Sequence, residues 1–577
     1  MSPSLLALAL AAAGCTGVDP VDPDPTPNTD SGVVDTPTVT DTDPGDSTPP
    51  SDTATDTAPP QDTAPDTRPQ QADPPNLLLV LLDDVGADKV SGYAGDFAAA
   101  GYAPTHLPAT PIIDSIGSSG VRFTHAWANP VCSPTRAALH SGEYGFRTGV
   151  GAPIPPAPEL DADRPTLAEQ LGTVYKTGAF GKWHLGTSGA PSDPARTVDF
   201  ANEAVAHTAD APGSWEHTLN PLLHGFHRFA GGLESGVCIS VGMGSCQGSY
   251  TEWIQLYADV GDAKKSKHGL QQETFGWLEE TLATEEVVNQ TLSWVGEVAH
   301  EGPWFASVNF QAAHTPHEDH TVHGCTTSDY SGADLSGDLA QYQSMTECMD
   351  TWLGELLDGL DNVGELDGTV IVVAGDNGTP TFAAEHPFDT SGRGKASTYE
   401  SGLRVPFVVA DGGAWREQER GVPAHAASRV TDPGRTDGRP IHTTDLFATF
   451  LQLAGIESTE GQDSSSFADA LADPDSAPVD RALYAETFEV DDGEIYGWAA
   501  LRDVAGMKLL IRILPNADLP GDTCIGKQLY DVVGDPLETL DLYGDAAWAT
   551  AQLDLETELA QLIAEGATWL DVSTPCP

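Results

Sequence analysis

Basic residues are scarce in this chain: Lys and Arg number 26 against 86 Asp and Glu over 577 residues, a formal net charge of −60. A nucleic-acid surface needs clustered cations to displace phosphate counterions, so this balance argues against a nucleic-acid partner. It leaves an anionic substrate open, because a few local cations and a metal ion reverse the field inside a cleft. Long apolar runs are missing as well. The run from Leu5 to Ala13 is too short to span a bilayer, and no other segment reads as transmembrane. Cysteine is sparse, with eight in all: Cys15, Cys132, Cys238, Cys246, Cys325, Cys348, Cys524 and Cys576.

What is present divides the chain. The run Leu5 to Ala13 fits the apolar core of an export signal. Cys15, directly after Ala13-Gly14, resembles a bacterial lipoprotein lipidation site. Residues 1–15 are therefore expected to be an export signal. The mature protein would be held by lipid at the cell envelope or surface, or be periplasmic or secreted without it. Residues 16–75 hold thirteen Asp and one basic residue, Arg68, among Thr, Pro, Ser, Ala and Val. Such a stretch buries too little apolar surface to offset its ordering entropy and reads as an extended linker. With Cys15 set aside, seven cysteines remain, an odd number for an exported protein. Proximity in sequence suggests Cys238–Cys246, Cys325–Cys348 and Cys524–Cys576, which leaves Cys132 over.

The rest reads as α/β. NLLLVLLDD (Asn76 to Asp84) is apolar at every position, as for a strand buried on both faces of a parallel sheet. IVVAGDNG (Ile371 to Gly378) repeats the design. Both runs end in oxygen ligands, Asp83 and Asp84 from the first, Asp376 and Asn377 from the second. In open α/β sheets ligands bind beyond the carboxyl ends of the strands. Three carboxylates and an amide there suit Ca²⁺ or Mg²⁺ better than Zn²⁺. Cys132-Ser133-Pro134-Thr135-Arg136 reads as a helix start, with Pro134 in the first turn and Arg136 one turn below the thiol. A helix N-terminus favours an anion and a reactive group beside it. AFGKWHLG sets Lys182 and His184 two apart, able to point the same way in extended backbone. WFASVNFQAAHTPH reads as a strand ending in His314, and RGKASTYESGLRVPFVV carries Lys395 in a Gly-rich loop.

VCSPTRAALHSGEYGFRTG (Val131 to Gly149), with these strings in this order, closely resembles the signatures of the type I sulfatases, an alkaline-phosphatase-like family. The resemblance runs from about Asn76 to the C-terminus. It implies a large mixed, mostly parallel sheet between helices at 76–460. A smaller α+β domain with an antiparallel sheet is implied for 461–577. It implies that Cys132 is oxidised to formylglycine (3-oxoalanine) by a formylglycine-generating enzyme and supplies the nucleophile. A divalent ion, usually calcium, would be held by Asp83, Asp84, Asp376, Asn377 and residue 132. Arg136 would orient the formylglycine, with Ser133 beside it, and His184 would hydrogen-bond its hydroxyl. Lys182, His314 and Lys395 would contact the sulfate, and either His314 or Lys395 would protonate the leaving oxygen. Glu400, Gly402, Arg404 and Pro406 fit the pattern as architecture. His317, His224, His227, His386 and Glu385 are looser candidates for the pocket wall.

Two departures stand out. Ser141-Gly142-Glu143 puts an acid where the family commonly has a base. Residues from about Pro191 to Thr284 carry little signature beyond HGFHRFAGG and are expected to set substrate choice. The expected reaction is hydrolysis of a sulfate monoester of a small molecule or glycan, a glycan being favoured over an aryl ester for a tethered enzyme. A phosphate or phosphonate monoester hydrolase on the same scaffold is one alternative. A surface protein that binds sulfated glycans without cutting them is the other.

Overall fold

The computed structural model describes residues 74–576 except 100, 102–103, 105, 155–157, 187–219, 233–251, 259–269, 278–281, 316, 318–324, 329–336, 385–391, 492–493 and 516–522. The expected signal, the expected linker up to residue 73, the Cys238–Cys246 pair, Glu385 and His386 lie outside the described residues.

The apolar runs of the sequence become the central strands. In chain order the strands are β1 (Asn76–Leu82), β2 (Val121–Phe123), β3 (Ala126–Trp127), β4 (Lys176–Lys182), β5 (Arg228–Gly232), β6 (Glu252–Ala258), β7 (Leu270–Trp277) and β8 (Trp304–Asn309). They continue with β9 (Thr369–Gly375), β10 (Phe407–Asp411), β11 (Arg435–Asp437), β12 (Ile441–His442), β13 (Leu483–Asp491), β14 (Glu494–Arg502), β15 (Met507–Pro515) and β16 (Thr523–Asp531). Ten of them form one mixed sheet in the order β11-β2-β10-β9-β1-β8-β4-β5-β6-β7. Its middle, β9-β1-β8-β4-β5, is parallel throughout. Strand β1 shows why the run had to be apolar at every position. Leu77, Leu79 and Leu81 pack with Ala137, Leu139, Phe447 and Phe450 on one face. Leu78, Val80 and Leu82 pack with Val287, Val288, Leu353 and Leu356 on the other. Burying each such side chain contributes about 1.5–3 kcal/mol. Among the described residues no helix is long and apolar enough to cross a membrane.

The last four strands form a separate antiparallel sheet, β13-β14-β15-β16, covered by the helix Ala549–Ala564 through Leu555 and Leu559. A buried ionic knot joins it to the large sheet. Lys508 Nζ on β15 reaches Glu400 Oε1 at 3.0 Å and Glu538 Oε1 at 2.8 Å, and Trp127 Nε1 on β3 donates to the same Glu400 oxygen at 3.1 Å. Glu400 is thus architectural, as expected; Arg404, beside Asp96 (3.7 Å) and over the Phe97 ring, has the same role. Cys325–Cys348 and Cys524–Cys576 are bonded as sequence proximity suggested. Cys132 is the free cysteine among the described residues, and it is buried.

Two local expectations fail. Strand β8 stops at Asn309, five residues before His314. Beyond it Phe310 N still bonds Leu81 O at 3.0 Å, but His314 N turns back to Gln311 O at 2.9 Å, so His314 sits on a turn. The alternation argument for Lys182 and His184 also fails, because β4 ends at Lys182 and His184 has φ +58°. A left-handed residue breaks the two-residue repeat, so the direction of His184 is set by its contacts.

The helix Leu446–Leu453 follows a single turn at Thr443–Asp445 that His442 caps by accepting from Thr444 N at 3.1 Å. His442 is fully buried, and burial first, then Arg481, lowers its pKa to about 3. The unfolded chain, with a histidine pKa near 6.5, therefore binds a proton that the fold refuses, and stability is lost as pH falls from 6.5 towards 3. His442→Asn keeps a capping acceptor without the titration. It should flatten the stability slope in that window by up to about 1.4 kcal/mol per pH unit. Denaturant midpoints measured at several pH values test this; parallel slopes for both proteins would refute it.

Candidate active site

Four neighbouring parallel strands deliver the polar residues from their carboxyl ends. Strand β1 is followed by Asp83 and Asp84, and β9 by Asp376 and Asn377; the pair Leu82↔Gly375 sets these ends side by side. Strand β8 ends in Asn309 and β4 in Lys182. The helix Cys132–Ser141 brings Cys132 and Arg136 to the same edge. It closes on Gly142 at φ 69°, whose N–H returns to Ala138 O at 2.8 Å. A side chain there would meet Gly461 and Phe447, so glycine is required.

The expected residues come together as one charge network. Lys182 Nζ contacts Asp83 Oδ2 at 2.6 Å, with both side chains fully buried. Arg136 gives Nε and Nη2 to Asp376 Oδ2 at 3.1 and 2.8 Å, and Nη1 to Lys182 O at 2.8 Å. Lys395 Nζ bonds Asp84 Oδ1, which also accepts from Asn377 Nδ2 at 2.9 Å. His314 Nε2 lies 3.9 Å from Asp84 Oδ2. The Lys395 loop is pinned on both sides, Lys395 N to Thr379 O and Ala396 N to Pro130 O, each at 2.8 Å. This stations an ammonium between the Asp376-Asn377 corner and the start of the Cys132 helix.

Electrostatics follow from burial and these contacts. Burial works against the charge of Asp84, yet Lys395 and then Lys182 hold it well below the usual carboxylate range. Burial and the charge of Asp83 push Asp376 up, opposed by Arg136 and Lys182. The Cys132 thiol is pushed up by burial against Lys182 and Lys395. Burial, then Lys182, lowers His314 to about 3, so it is neutral. His184 is held neutral in the same way, by burial and then by Lys182 and Arg136.

The site passes a test for a hard cation. Asp83 Oδ1 and Asn377 Oδ1 are buried oxygens with no hydrogen-bond partner among the described residues. Asp83, Asp84 and His314 each offer an atom within 4.8 Å of the others. Orphaned anionic and amide oxygens in one place are what a Ca²⁺ or Mg²⁺ ion satisfies.

Ser133 accepts from Ile154 N at 3.2 Å and donates to His184 O at 2.9 Å, so it ties the helix start to the His184 turn. Glu143 is engaged by an ion pair with Arg164 and by Gln462 Nε2 at 3.1 Å. Of the three remaining histidines, His224 and His227 lie outside the network, whereas the charge of Asp84 reaches His317. His317 packs on Phe382 with ring centres 4.7 Å apart. His224 is buried beside Trp183, and His227 accepts from Thr177 N at 3.1 Å. Sequence reasoning missed two residues. Tyr342 donates to Asp84 O at 2.8 Å, where Asp84 holds an uncommon φ of 62°. Asn309 accepts from Arg136 Nη1 at 3.1 Å. Its one signal was a lone amide closing the apolar run WFASVN.

Residues 75–456 match the Sulfatase family model. Over 372 residues the chain is 25% identical to N-acetylgalactosamine-6-O-sulfatase of Bacteroides thetaiotaomicron, covering 58% of this chain and 67% of that protein. Over 406 residues it is 28% identical to arylsulfatase A of Bos taurus, covering 67% of this chain and 65% of the relative. The matched stretches thus span about two thirds of these relatives' own lengths. The fold is similar to the crystal structure of Ps i-CgsB in complex with k-i-k-neocarrahexaose, with TM-score 0.57, 22% identity and coverage of 87% and 95% of the two chains. With its signature cysteine, acidic corner and cations gathered at one sheet edge, and with more than half its length matched, the chain belongs to the sulfatase family, a family of sulfuric ester hydrolases.

Proposed function

We propose that this protein hydrolyses a sulfate monoester, with a formylglycine made from Cys132 and a divalent ion held by Asp83, Asp84, Asp376, Asn377 and residue 132. The observation that carries the reading is a buried thiol, free of any disulfide, at a helix start beside orphaned carboxylate and amide oxygens and two ammonium groups. Formylglycine supplies a hydrated aldehyde as nucleophile, and the ion, Ca²⁺ or Mg²⁺, supplies Lewis acidity.

The chain's own residues do the rest. Lys182 and Lys395 carry the positive charge that a sulfuryl group needs as it transfers. His184 Nε2 lies 3.0 Å from Ile154 O, and a carbonyl only accepts, so the ring proton is on Nε2. Nδ1 is then a bare acceptor, buried and without a partner among the described residues, able to take a proton from a hydroxyl on residue 132. His314 has Nδ1 2.7 Å from Thr315 O, which by the same reasoning commits its single proton there. Burial works against the charge of Lys395, but Asp84, Cys132 and Asp83 hold it above the usual lysine range. Lys395 therefore stays charged to neutralise the sulfuryl oxygens, and the proton for the leaving oxygen comes from Lys395 or His314.

A sulfated glycan is the favoured substrate class, supported by the relative named N-acetylgalactosamine-6-O-sulfatase and by the neighbour solved with a neocarrahexaose. Export through residues 1–15, lipid at Cys15 and a formylglycine-generating enzyme as maturation partner belong to the same reading. Peptide mass spectrometry across Cys132, on protein made beside such an enzyme, should find the aldehyde. The matured protein should cleave a sulfate ester faster than the phosphate ester of the same alcohol, and lose activity in EDTA. An unconverted thiol, or preference for the phosphate, would overturn the reading.

A further inference from the structure

Arg136 is buried, and its guanidinium is held by three acceptors: Asp376 Oδ2, Lys182 O and Asn309 Oδ1. The first is an expected metal ligand and the second is backbone. Asn309 is a side chain that the reaction, as described above, does not use. It closes a strand whose other residues, Trp304 to Val308, are all buried and, Ser307 apart, apolar. Burying an amide there costs free energy unless every polar atom is matched.

Every atom is matched, in one orientation. Asn309 Nδ2 lies 2.9 Å from Ser307 O, 3.1 Å from Ser307 Oγ and 3.3 Å from Phe180 O. Two of these are carbonyls, which only accept, so the NH₂ must face them and Oδ1 must face Arg136 Nη1. A flipped amide would set NH₂ against the guanidinium and oxygen against two carbonyls. The backbone has made room for this arrangement. Strand β4 runs beside β8 with Gly181 opposite Asn309, and Gly181 adopts φ 89°. A Cβ on Gly181 would lie 1.9 Å from Asn309 O, so glycine lets the two strand ends approach.

The neutrality of Asn309 also has a reason. Asp83, Asp84 and Asp376 already crowd this edge, and a carboxylate at 309 would compete with Asp376 for the same guanidinium. An amide offers an oxygen to Arg136 and no charge. With Nη1 fixed, Nε and Nη2 are aimed at Asp376 Oδ2. Asp376 Oδ1 is then turned to the acidic corner, where it accepts from Asp84 N at 3.3 Å.

From this geometry we propose that Asn309 is a positioning residue: it locks the plane of the Arg136 guanidinium, and through it the rotamer of Asp376 as a metal ligand. The proposal rests on the reading that Arg136 and Asp376 belong to the metal and nucleophile site. Arg136, one contact removed from the ligand, is the kind of partner that typically matters by about 10- to 100-fold in metal affinity or activity, and Asn309 acts through it at the lower end of that range.

The test uses the full chain, matured beside a formylglycine-generating enzyme, with Ca²⁺ itself as the probe in isothermal titration calorimetry. Asn309→Ala, acting through Arg136, should weaken Ca²⁺ binding by about 10-fold and lower kcat by a similar factor, with KM changed less than about threefold. A merely structural amide would lower melting temperature without this split between kcat and KM. Asn309→Ser, too short to reach Arg136 but smaller in its packing loss, should behave the same and serves if the alanine variant folds poorly. In an Arg136→Ala background, Asn309→Ala should change Ca²⁺ affinity less than about twofold, since residues acting through one another are not additive. Equal Ca²⁺ affinity in wild type and Asn309→Ala, or full additivity with Arg136→Ala, would overturn the proposal and leave the functional reading standing. A wild type that neither binds Ca²⁺ nor cleaves a sulfate ester would overturn that reading and the proposal with it.

Discussion

Cys132→Ala is expected to lower sulfate ester hydrolysis by at least about 10⁴-fold while the fold stays intact. Magnitudes separate the two effects. The thiol is 2% exposed and free of any disulfide, so the substitution removes one sulfur atom from a packed helix start, on the order of 1 kcal/mol. The loss in rate corresponds to about 5 kcal/mol or more of transition-state stabilisation. Far-UV circular dichroism and the melting temperature should barely move while kcat/KM falls below detection. Cys132→Ser would be more informative still. A serine oxygen can accept the sulfuryl group, but residue 132 then lacks a second hydroxyl to expel it. One equivalent of alcohol should be released and turnover should stop. Sustained turnover by either variant would sink the assignment of residue 132.

Arg136→Ala is expected to destabilise the protein by about 3–5 kcal/mol when unfolding is followed in EDTA. The Arg136–Asp376 pair is 1% and 0% exposed and shares its cluster with Asp83 and Asp84, so removing the cation leaves a buried carboxylate with only the weaker influence of Lys182 to offset its burial. Burial and Asp83 already push Asp376 up, and without Arg136 it would take a proton and cease to be an anionic ligand. Ca²⁺ affinity should therefore fall together with stability. Replacing both partners by apolar residues, Arg136→Met with Asp376→Leu, should recover much of the stability and none of the metal binding. A loss below about 1 kcal/mol for Arg136→Ala, the scale of an exposed pair, would show that the buried network does not hold the site.

The two kinds of residue in this site differ in how they could be read. Asp83, Asp84, Asp376 and Asn377 were legible because each pair directly follows an apolar run. Continuous burial of that run requires a parallel strand, and its carboxyl end is where such sheets bind ligands. Cys132 and Arg136 were legible because Pro134 and the alanines after it fix a helix start locally. The α/β class and the two-sided core around Leu77 to Leu82 follow from the same near-range information, whereas proximity in sequence only suggested the two described disulfides, which the fold then bears out. His314 and His184 were misread in their backbone for a physical reason. Nothing in the pattern WFASVNFQAA marks a strand end, and a left-handed residue leaves no trace in hydrophobic alternation.

Which charge faces which was decided only by the tertiary structure. Lys182 and Asp83 are 99 residues apart, Arg136 and Asn309 are 173 apart, and Lys395 and Asp84 are 311 apart. Their meeting depends on β1 lying between β8 and β9, with β4 next to β8. The knot of Lys508, Glu400 and Glu538 likewise exists only because the second sheet packs against the first. Periodicity and strand-end chemistry are properties of a few consecutive residues, so the sequence alone determined the elements and the polar residues at their tips. Sheet order and the orientation of an amide such as Asn309 come from how distant elements pack, and only the folded chain brings those atoms within reach.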